Sequence, residues 1–262
     1  MSDILNTIIT TKHLEIARAK QAIPQEQLIR ALEHQTPARG FAQAILNRVL
    51  DKKSAVIAEV KKASPSKGVI RDPFLPGDIA QSYEKAGAAC LSVLTDTQYF
   101  QGCPDFLIQA KNVCKLPVLR KDFIVDEYQV FESRAMGADA ILLIAAALTQ
   151  KQMLDLERIA NQLGLDVLVE VHNEAELLAA LTLSTPLLGI NNRNLKTFEV
   201  SLDNTYALLP KIPPSKCVVT ESGILSALTV QQMHQHGVYA FLVGEAFMRA
   251  PDPGTALRAM FG

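Results

Sequence analysis

The sequence lacks a long hydrophobic run, a paired-cysteine motif and an excess of either charge. Its longest apolar run, 138–148, is interrupted by Asp139 and is too short to cross a bilayer. The four cysteines show no C-x-x-C spacing, so a metal or disulfide framework is weakly supported and reduced thiols are favoured. A net charge of -1 gives no basic surface for nucleic acid or an anionic membrane, so we expect neither partner.

The N-terminus also lacks the basic and apolar segments of a secretion signal, which favours a cytoplasmic protein. The chain has 262 residues, 48% of them hydrophobic, a length typical of one α/β barrel domain. We predict a single domain over 1–262, with a helical extension at 1–50 and a barrel at 55–262. Pro24 and Pro37 divide the extension into three helices.

Short apolar segments alternate with helical patterns from Val56 onward. The predicted strands are Val56–Val60, Cys90–Leu94, Pro117–Arg120, Ala140–Ile144, Val167–Val171, Leu187–Ile190, Val218–Thr220 and Ala240–Val243. The predicted helices are Asp78–Ala86, Asp105–Cys114, Glu127–Met136, Gln150–Leu163, Glu174–Leu181, Asn204–Leu209, Leu225–His236 and Thr255–Met260. Eight such units predict an α/β fold, a (β/α)8 TIM barrel with an N-terminal helical extension. An open doubly wound sheet is the alternative, but its G-x-G-x-x-G motif is absent.

Charged and polar residues follow the apolar part of most strands. The first strand leads into E-V-K-K-A-S-P-S-K-G, where Glu59 and Lys61 lie one pleat apart and so on one side. Later strand ends contribute Lys121, Glu170, Asn191, Arg193, Glu221, Ser222, Gly223, Gly244 and Glu245. The carboxyl ends of barrel strands meet at one mouth, so these residues predict an active site there.

Two subsites can be separated within this set. The first is an acid–base group of lysines and glutamates, suited to protonating a carbonyl and removing a hydroxyl as water. Its members are Lys61, Lys121, Glu59, Glu170 and Glu221. The loops after strands seven and eight predict a phosphate site at helix starts near Gly223 and Gly244, and Lys61 or Ser64 could add to it.

The strand-end phrases resemble the indole-3-glycerol phosphate synthase family. They are I-A-E-V-K-K-A-S-P-S-K-G, L-T-D-T-Q-Y-F-Q-G, L-R-K-D-F-I-V-D, L-V-E-V-H, G-I-N-N-R-N-L-K-T-F and T-E-S-G-I. The resemblance implies a carboxy-lyase of tryptophan biosynthesis. Such an enzyme converts 1-(2-carboxyphenylamino)-1-deoxyribulose 5-phosphate to indole-3-glycerol phosphate, CO₂ and water. It implies no cofactor and no metal.

The resemblance also implies residue roles. Lys121 is expected to be the general acid on the ribulose carbonyl, and Lys61 the partner of the substrate carboxylate. Either Lys61 or Glu170 delivers the proton for dehydration, and Glu59 orients the lysines. Substrate contacts are expected from Ser64, Phe100, Phe123, Leu142, Asn191, Arg193, Leu195, Glu221 and Ser222, and phosphate contacts from Lys61, Ser222, Gly223, Gly244 and Glu245. Glu245 departs from the family, because many relatives have serine there.

Two other functions remain open at this point. A Schiff-base aldolase barrel would also place a lysine at a strand end. A phosphosugar-binding barrel without catalysis would need the phosphate loops but not the ionisable set. We further expect a monomer that can associate with other tryptophan-pathway enzymes.

Overall fold

Eight parallel strands form a closed barrel at the centre of the computed structural model, which describes residues 3–262. The strands are β1 (Ala55–Val60), β2 (Cys90–Leu94), β3 (Val118–Lys121), β4 (Ala140–Ile144), β5 (Asp166–Val171), β6 (Leu187–Asn191), β7 (Cys217–Glu221) and β8 (Ala240–Val243). Each strand pairs with its neighbours in chain order, and β1 closes the barrel by pairing with both β2 and β8. The predicted (β/α)8 barrel is confirmed, with strand bounds that differ by at most one residue.

Helices precede the barrel and follow its strands. They are α1 (Asp3–Ala22), α2 (Gln25–Leu32), α3 (Phe41–Leu50), α4 (Pro76–Lys85), α5 (Pro104–Val113), α6 (Glu127–Ala135), α7 (Gln150–Gln162), α8 (Glu174–Ala180), α9 (Asp203–Leu208), α10 (Ala227–Gln235), α11 (Glu245–Met248) and α12 (Pro253–Phe261). A small antiparallel hairpin pairs Ala63–Ser64 with Gly68–Val69 after β1. Within 3–262, no helix is long and apolar enough to span a membrane.

The barrel interior is apolar at its centre and charged at its mouth. Its inward-facing side chains include Ile57, Leu119, Leu168, Leu187, Val219 and Leu242, all buried in one cluster. Because side chains two apart on a strand share a face, Ile57 is followed on that side by Glu59, and Val219 by Glu221. The strand period therefore places the ionisable groups directly above an apolar layer.

The N-terminal helices pack against both ends of the barrel. Phe41 and Ile45 of α3 are fully buried in the interior cluster, and the Ala42 N–H donates to Asp166 Oδ2 at the start of β5, at 2.9 Å. Helix α3 therefore plugs the N-terminal end of the barrel. Helix α1 reaches the opposite end, where Ile4 and Leu5 line the central cavity.

Candidate active site

A cavity of about 410 Å³ lies at the carboxyl ends of the strands. This volume falls in the range of small-molecule sites. All but one of the residues predicted for catalysis, substrate binding or phosphate binding line it: Glu59, Lys61, Ser64, Phe100, Lys121, Phe123, Glu170, Asn191, Arg193, Leu195, Glu221, Ser222, Gly223, Gly244 and Glu245. The exception is Leu142, which lies in the apolar interior one layer below the cavity. Ile144, two residues further along β4 on the same face, lines the cavity instead.

Lys121 ends β3 and projects among carboxylates. Its Nζ lies 3.7 Å from Glu170 Oε2, and 17% of its side chain is exposed. Burial alone would lower the pKa of Lys121, but the neighbouring carboxylates, chiefly Glu170, raise it above its ordinary value. Lys121 is therefore held as a cation.

Glu170 of β5 and Glu221 of β7 interact with each other and with this lysine. Burial would raise the pKa of Glu170, but Lys121 and then His172 lower it. Burial, followed by the charge of Glu170, raises the pKa of Glu221 well above its ordinary value. These surroundings keep Glu170 ionised and favour the protonated form of Glu221, the division of roles that acid–base sites use.

Glu59 and Lys61 make a direct ion pair at the end of β1. A Cβ atom at Gly244 would overlap Glu59 Oε2 and would lie 2.9 Å from Glu59 Cβ. Glycine at this position thus leaves room for the Glu59 carboxylate. The predicted acid–base group, which includes Glu59, and the predicted phosphate site, which includes Gly244, therefore meet at this contact.

The loop after β7 differs from its predicted form. Helix α10 begins at Ala227, because the Ser226 side chain accepts from Thr229 N–H and caps it, so Gly223 does not start the helix. Ser222 and Gly223 instead form a turn with positive φ angles of 64° and 79°. A Cβ atom at Gly223 would lie 2.8 Å from Val200 Cγ1, so packing as well as φ favours glycine there.

Asn191 organises the polar side of the cavity. Its Oδ1 accepts from Ser222 Oγ at 2.9 Å and from Arg193 N–H at 3.0 Å. Glu245, which begins α11, lies 3.6 Å from the Arg193 guanidinium and 3.0 Å from that of Arg249. Its carboxylate is thus neutralised by two arginines, which makes the acidic residue compatible with a nearby anion.

Apolar residues from three regions wall the other side. Phe100 and Phe123 have ring centroids 6.1 Å apart. Leu195 lies on the loop after β6, and Ile4 and Ile8 of α1 complete the wall. The cavity thus presents an apolar slot next to a charged floor.

A buried lysine on α1, which sequence patterns did not indicate, ties this helix to the slot. Lys12 is only 4% exposed, and its Nζ lies 2.8 Å from Asp96 Oδ2 and 3.0 Å from Asp122 Oδ1. The Asp96 Oδ1 accepts from Phe100 N–H at 3.0 Å, and Asp122 Oδ1 accepts from Phe123 N–H at 2.8 Å. Lys12 therefore joins the helix to both loops that carry the aromatic walls.

The charge of Asp122 depends on this lysine. Burial would raise the pKa of Asp122, but Arg120 and Lys12 lower it to about 2. The adjacent residue in the chain is Lys121, so the same network fixes the end of β3. Sequence reasoning could not find this contact, since Lys12 is separated from its partners by more than eighty positions and the helix pattern alone predicts an exposed lysine.

Among residues 3–262, no group of three or more histidine, cysteine, aspartate and glutamate side chains is arranged to hold a metal ion.

The chain matches a family model and curated relatives along its length. Residues 5–260 match the model of indole-3-glycerol phosphate synthase. The indole-3-glycerol phosphate synthase of Polynucleobacter necessarius is 62% identical, and that of Leptothrix cholodnii 61%, with all of each chain covered. Among solved structures, the tryptophan synthase alpha chain of Legionella pneumophila superimposes with a TM-score of 0.63 over 86% of this chain and 96% of that one, at 13% identity, which supports the barrel fold alone. The chain belongs to the indole-3-glycerol phosphate synthase family.

Proposed function

We propose that this cavity converts 1-(2-carboxyphenylamino)-1-deoxyribulose 5-phosphate to indole-3-glycerol phosphate, CO₂ and water. The observation that carries the proposal is the protonated Lys121 beside ionised Glu170, on the floor of a cavity with an apolar slot and a loop suited to an anion. The substrate has the matching parts: an aromatic ring, a carbonyl and a phosphate.

Lys121 is the proposed general acid for ring closure. As the ring carbon that bears the carboxylate attacks the ribulose carbonyl carbon, the carbonyl oxygen gains negative charge and takes a proton. A lysine with a raised pKa is a weak acid towards a neutral carbonyl but a good donor to a developing alkoxide. The position of Lys121 among carboxylates keeps that proton in place until the charge develops.

Loss of CO₂ and of water completes the reaction. Breaking the bond to the carboxylate returns an electron pair to the ring system, and the hydroxyl then leaves as water with a second proton while a carbon-bound proton is removed. We assign the second proton to Lys61 or Glu170, which both line the cavity, and removal of the carbon proton to Glu59. Lys61→Met and Glu170→Gln distinguish the two donors. The variant that loses the donor should accumulate a closed, decarboxylated species one water heavier than the product, detectable by mass spectrometry.

The remaining predicted residues are proposed to hold the substrate. Phe100, Phe123 and Leu195 would enclose the aromatic ring, with Ile144 in the place predicted for Leu142. The phosphate would be held by backbone N–H groups near Gly223 and Gly244 and by the Ser222 hydroxyl. The sugar and the charged groups of the substrate would be bound by Ser64, Asn191 and Arg193. Glu221 would form a hydrogen bond with a substrate hydroxyl.

The Schiff-base alternative is disfavoured by the charge on Lys121. A lysine nucleophile must be neutral, and the carboxylates around Lys121 raise its pKa rather than lower it. A barrel that only binds a phosphosugar would not require two interacting buried glutamates, Glu170 and Glu221, with pKa values shifted in opposite directions.

We also propose that the active unit is a cytoplasmic monomer able to associate with other enzymes of its pathway. Light scattering during size-exclusion chromatography at assay concentrations tests it.

Fluorescence provides the test of the reaction. The chain has no tryptophan, so indole emission during incubation with the substrate would arise from product alone. Product formation without covalent trapping by borohydride supports the proposal, whereas trapped lysine or an absence of indole would contradict it.

A further inference from the structure

Gly189 interrupts the apolar residues of β6 on the face that points into the barrel. Leu187, one pleat before it, packs in the interior cluster, and Asn191, one pleat after it, lines the cavity. Its neighbours in the strand register are Glu170 of β5 and Val219 of β7. Large branched side chains normally fill the interior of such a barrel, and a glycine within a strand often marks the close approach of another group. Gly189 therefore leaves a gap in the inner wall of the barrel.

The carboxyl group of Glu221 occupies that gap. A Cβ atom at Gly189 would overlap Glu221 Oε1 and would lie 3.5 Å from Glu221 Cδ. Glu221 is paired in the register with Asn191 rather than with Gly189, so its side chain reaches back by one pleat along β6. The carboxyl is therefore folded against β6, on the side of the barrel interior.

The gap holds this carboxyl in dry surroundings. Glu221 is only 2% exposed, and within residues 3–262 its Oε1 has no hydrogen-bond partner. A charged carboxylate is costly to bury without hydrogen bonds, so these surroundings favour the neutral form. The raised pKa of Glu221, caused first by burial and then by the charge of Glu170, agrees with this geometry.

We propose that Gly189 is a positioning residue for Glu221, because the absence of a side chain lets the Glu221 carboxyl lie back against β6. A larger residue at position 189 would push this carboxyl into the cavity, towards Lys121. An ionised carboxylate there would hold the proton of Lys121 more tightly and would fill space that the substrate needs. This consequence for turnover rests on the function proposed above, whereas the placement of the carboxyl does not.

Charged groups on several strands face Glu221. Glu170 of β5 and Glu59 of β1 disfavour a negative charge on it, and Lys121 of β3 favours one. The residues in register with Glu221 on the adjacent strands are uncharged: Asn191 of β6 and Leu242 of β8. Further charges line the same cavity in pairs of opposite sign, Lys61 with Glu59 and Arg193 with Glu245. Displacing the carboxyl from its dry position towards Lys121 would therefore lower the pKa of Glu221.

The contact itself is tested by removing the carboxyl. Gly189→Ala should lower Tm by about 2–12 °C, the shift that overpacking a core gives in a chain of this size. In a Glu221→Ala background the overlapping group is gone, so the same methyl group should lower Tm by less than about half as much. Gly77→Ala is the matched control, because its Cβ would lie 3.7 Å from Val113. It should move Tm by less than about 2 °C.

The pH dependence of Tm reports where the carboxyl lies. In an otherwise wild-type chain, Glu221→Gln should raise Tm at about pH 8 and leave it almost unchanged at about pH 4, below the ordinary pKa of glutamate. In the Gly189→Ala chain the displaced carboxylate is charged and lies near Lys121, so Glu221→Gln should no longer raise Tm at the higher pH. A residue that acts through packing alone would leave the gain from Glu221→Gln unchanged.

Turnover gives a separate readout. In Gly189→Ala, kcat should fall about 10- to 100-fold, since a small misplacement near the reacting groups can cost about 100-fold. Gly77→Ala should keep the kcat of the wild type. Circular dichroism checks folding, and if Gly189→Ala does not fold, the double variant with Glu221→Ala should fold.

The results separate the placement of Glu221 from the reaction. An equal Tm loss from Gly189→Ala with and without Glu221→Ala would overturn the proposal, as would a double variant that does not fold. A gain from Glu221→Gln that survives in Gly189→Ala, or an unchanged kcat in Gly189→Ala, would also overturn it. Absence of indole from the wild-type chain would instead overturn the proposed function, and the melting experiments would still decide the placement.

Discussion

Replacing Lys12 with methionine tests how the N-terminal helix is held over the cavity. Methionine fills nearly the same space but leaves Asp96 and Asp122 without their shared cation. Removing one partner of a buried ion pair costs about 3–5 kcal/mol. Asp122 keeps its contact with Arg120, at 3.2 Å, so we expect the lower end, about 3 kcal/mol.

That loss predicts a clear thermal shift. For a chain of this size, each kcal/mol changes Tm by about 2–4 °C, so the melting temperature should fall by about 6–12 °C. Lys20→Met is the matched control on the same helix, because Lys20 pairs with Asp126 at an exposed position and such pairs contribute about 0–1 kcal/mol. The control should therefore move Tm by less than about 4 °C.

Acidic pH adds a second readout. The pKa of Asp122 is about 2 in the folded chain and about 3.9 in the unfolded chain. Its ionised form therefore stabilises the fold fully above about pH 3.9, and this contribution is lost as the pH falls towards 2. A protonated aspartate needs no cation, so the difference between Lys12→Met and wild type should shrink over that window. KM should rise more than kcat falls, since Lys12 positions the loops of Phe100 and Phe123. Equal melting shifts for the Lys12 and Lys20 variants, or a difference that does not change with pH, would refute the reasoning.

Three further outcomes follow from the site. Lys121→Met removes the proposed proton donor and should lower kcat about 10²- to 10⁴-fold in steady-state assays, and near-normal turnover would rule the assignment out. Gly244→Ala places a methyl group against Glu59 and should reduce kcat, whereas Gly77→Ala, whose Cβ would lie 3.7 Å from Val113, should not. Glu221→Gln should stabilise the fold at neutral pH. Because the folded chain raises the pKa of Glu221, the wild type has its full stability below the pKa of this group in the unfolded chain, about 4.3, and loses stability as the pH rises above it. The variant should therefore melt at a higher Tm than the wild type above that pH and at the same Tm below it. A gain that persisted at lower pH would contradict the protonated state of Glu221.

Strand periodicity accounts for how much of the site was predictable. Glu59, Lys121, Glu170 and Glu221 each lie at the carboxyl end of a strand, two positions after an apolar residue, and the rule that alternate residues share a face places them in one layer. The same rule explains why the prediction for Leu142 was wrong. Leu142 and Ile144 both face the barrel interior from β4, but only Ile144 is close enough to the carboxyl end of the strand to line the cavity.

Contacts between distant segments could not be predicted. Lys12 meets Asp96 and Asp122 only after the barrel closes, and a helix pattern contains no information about such partners. The start of α10 was also placed too early, because Gly223 resembles a helix-start glycine while Ser226 provides the cap.

The central claim is that Lys121 drives ring closure with loss of the substrate carboxylate. Its most direct test is a parallel measurement of CO₂ release and indole emission from substrate labelled with ¹³C in that carboxylate, using wild type and Lys121→Met. We predict one labelled CO₂ per indole from wild type, and a proportional loss of both signals in the variant. Indole or CO₂ formed at the wild-type rate by Lys121→Met, or CO₂ released without indole, would contradict the account.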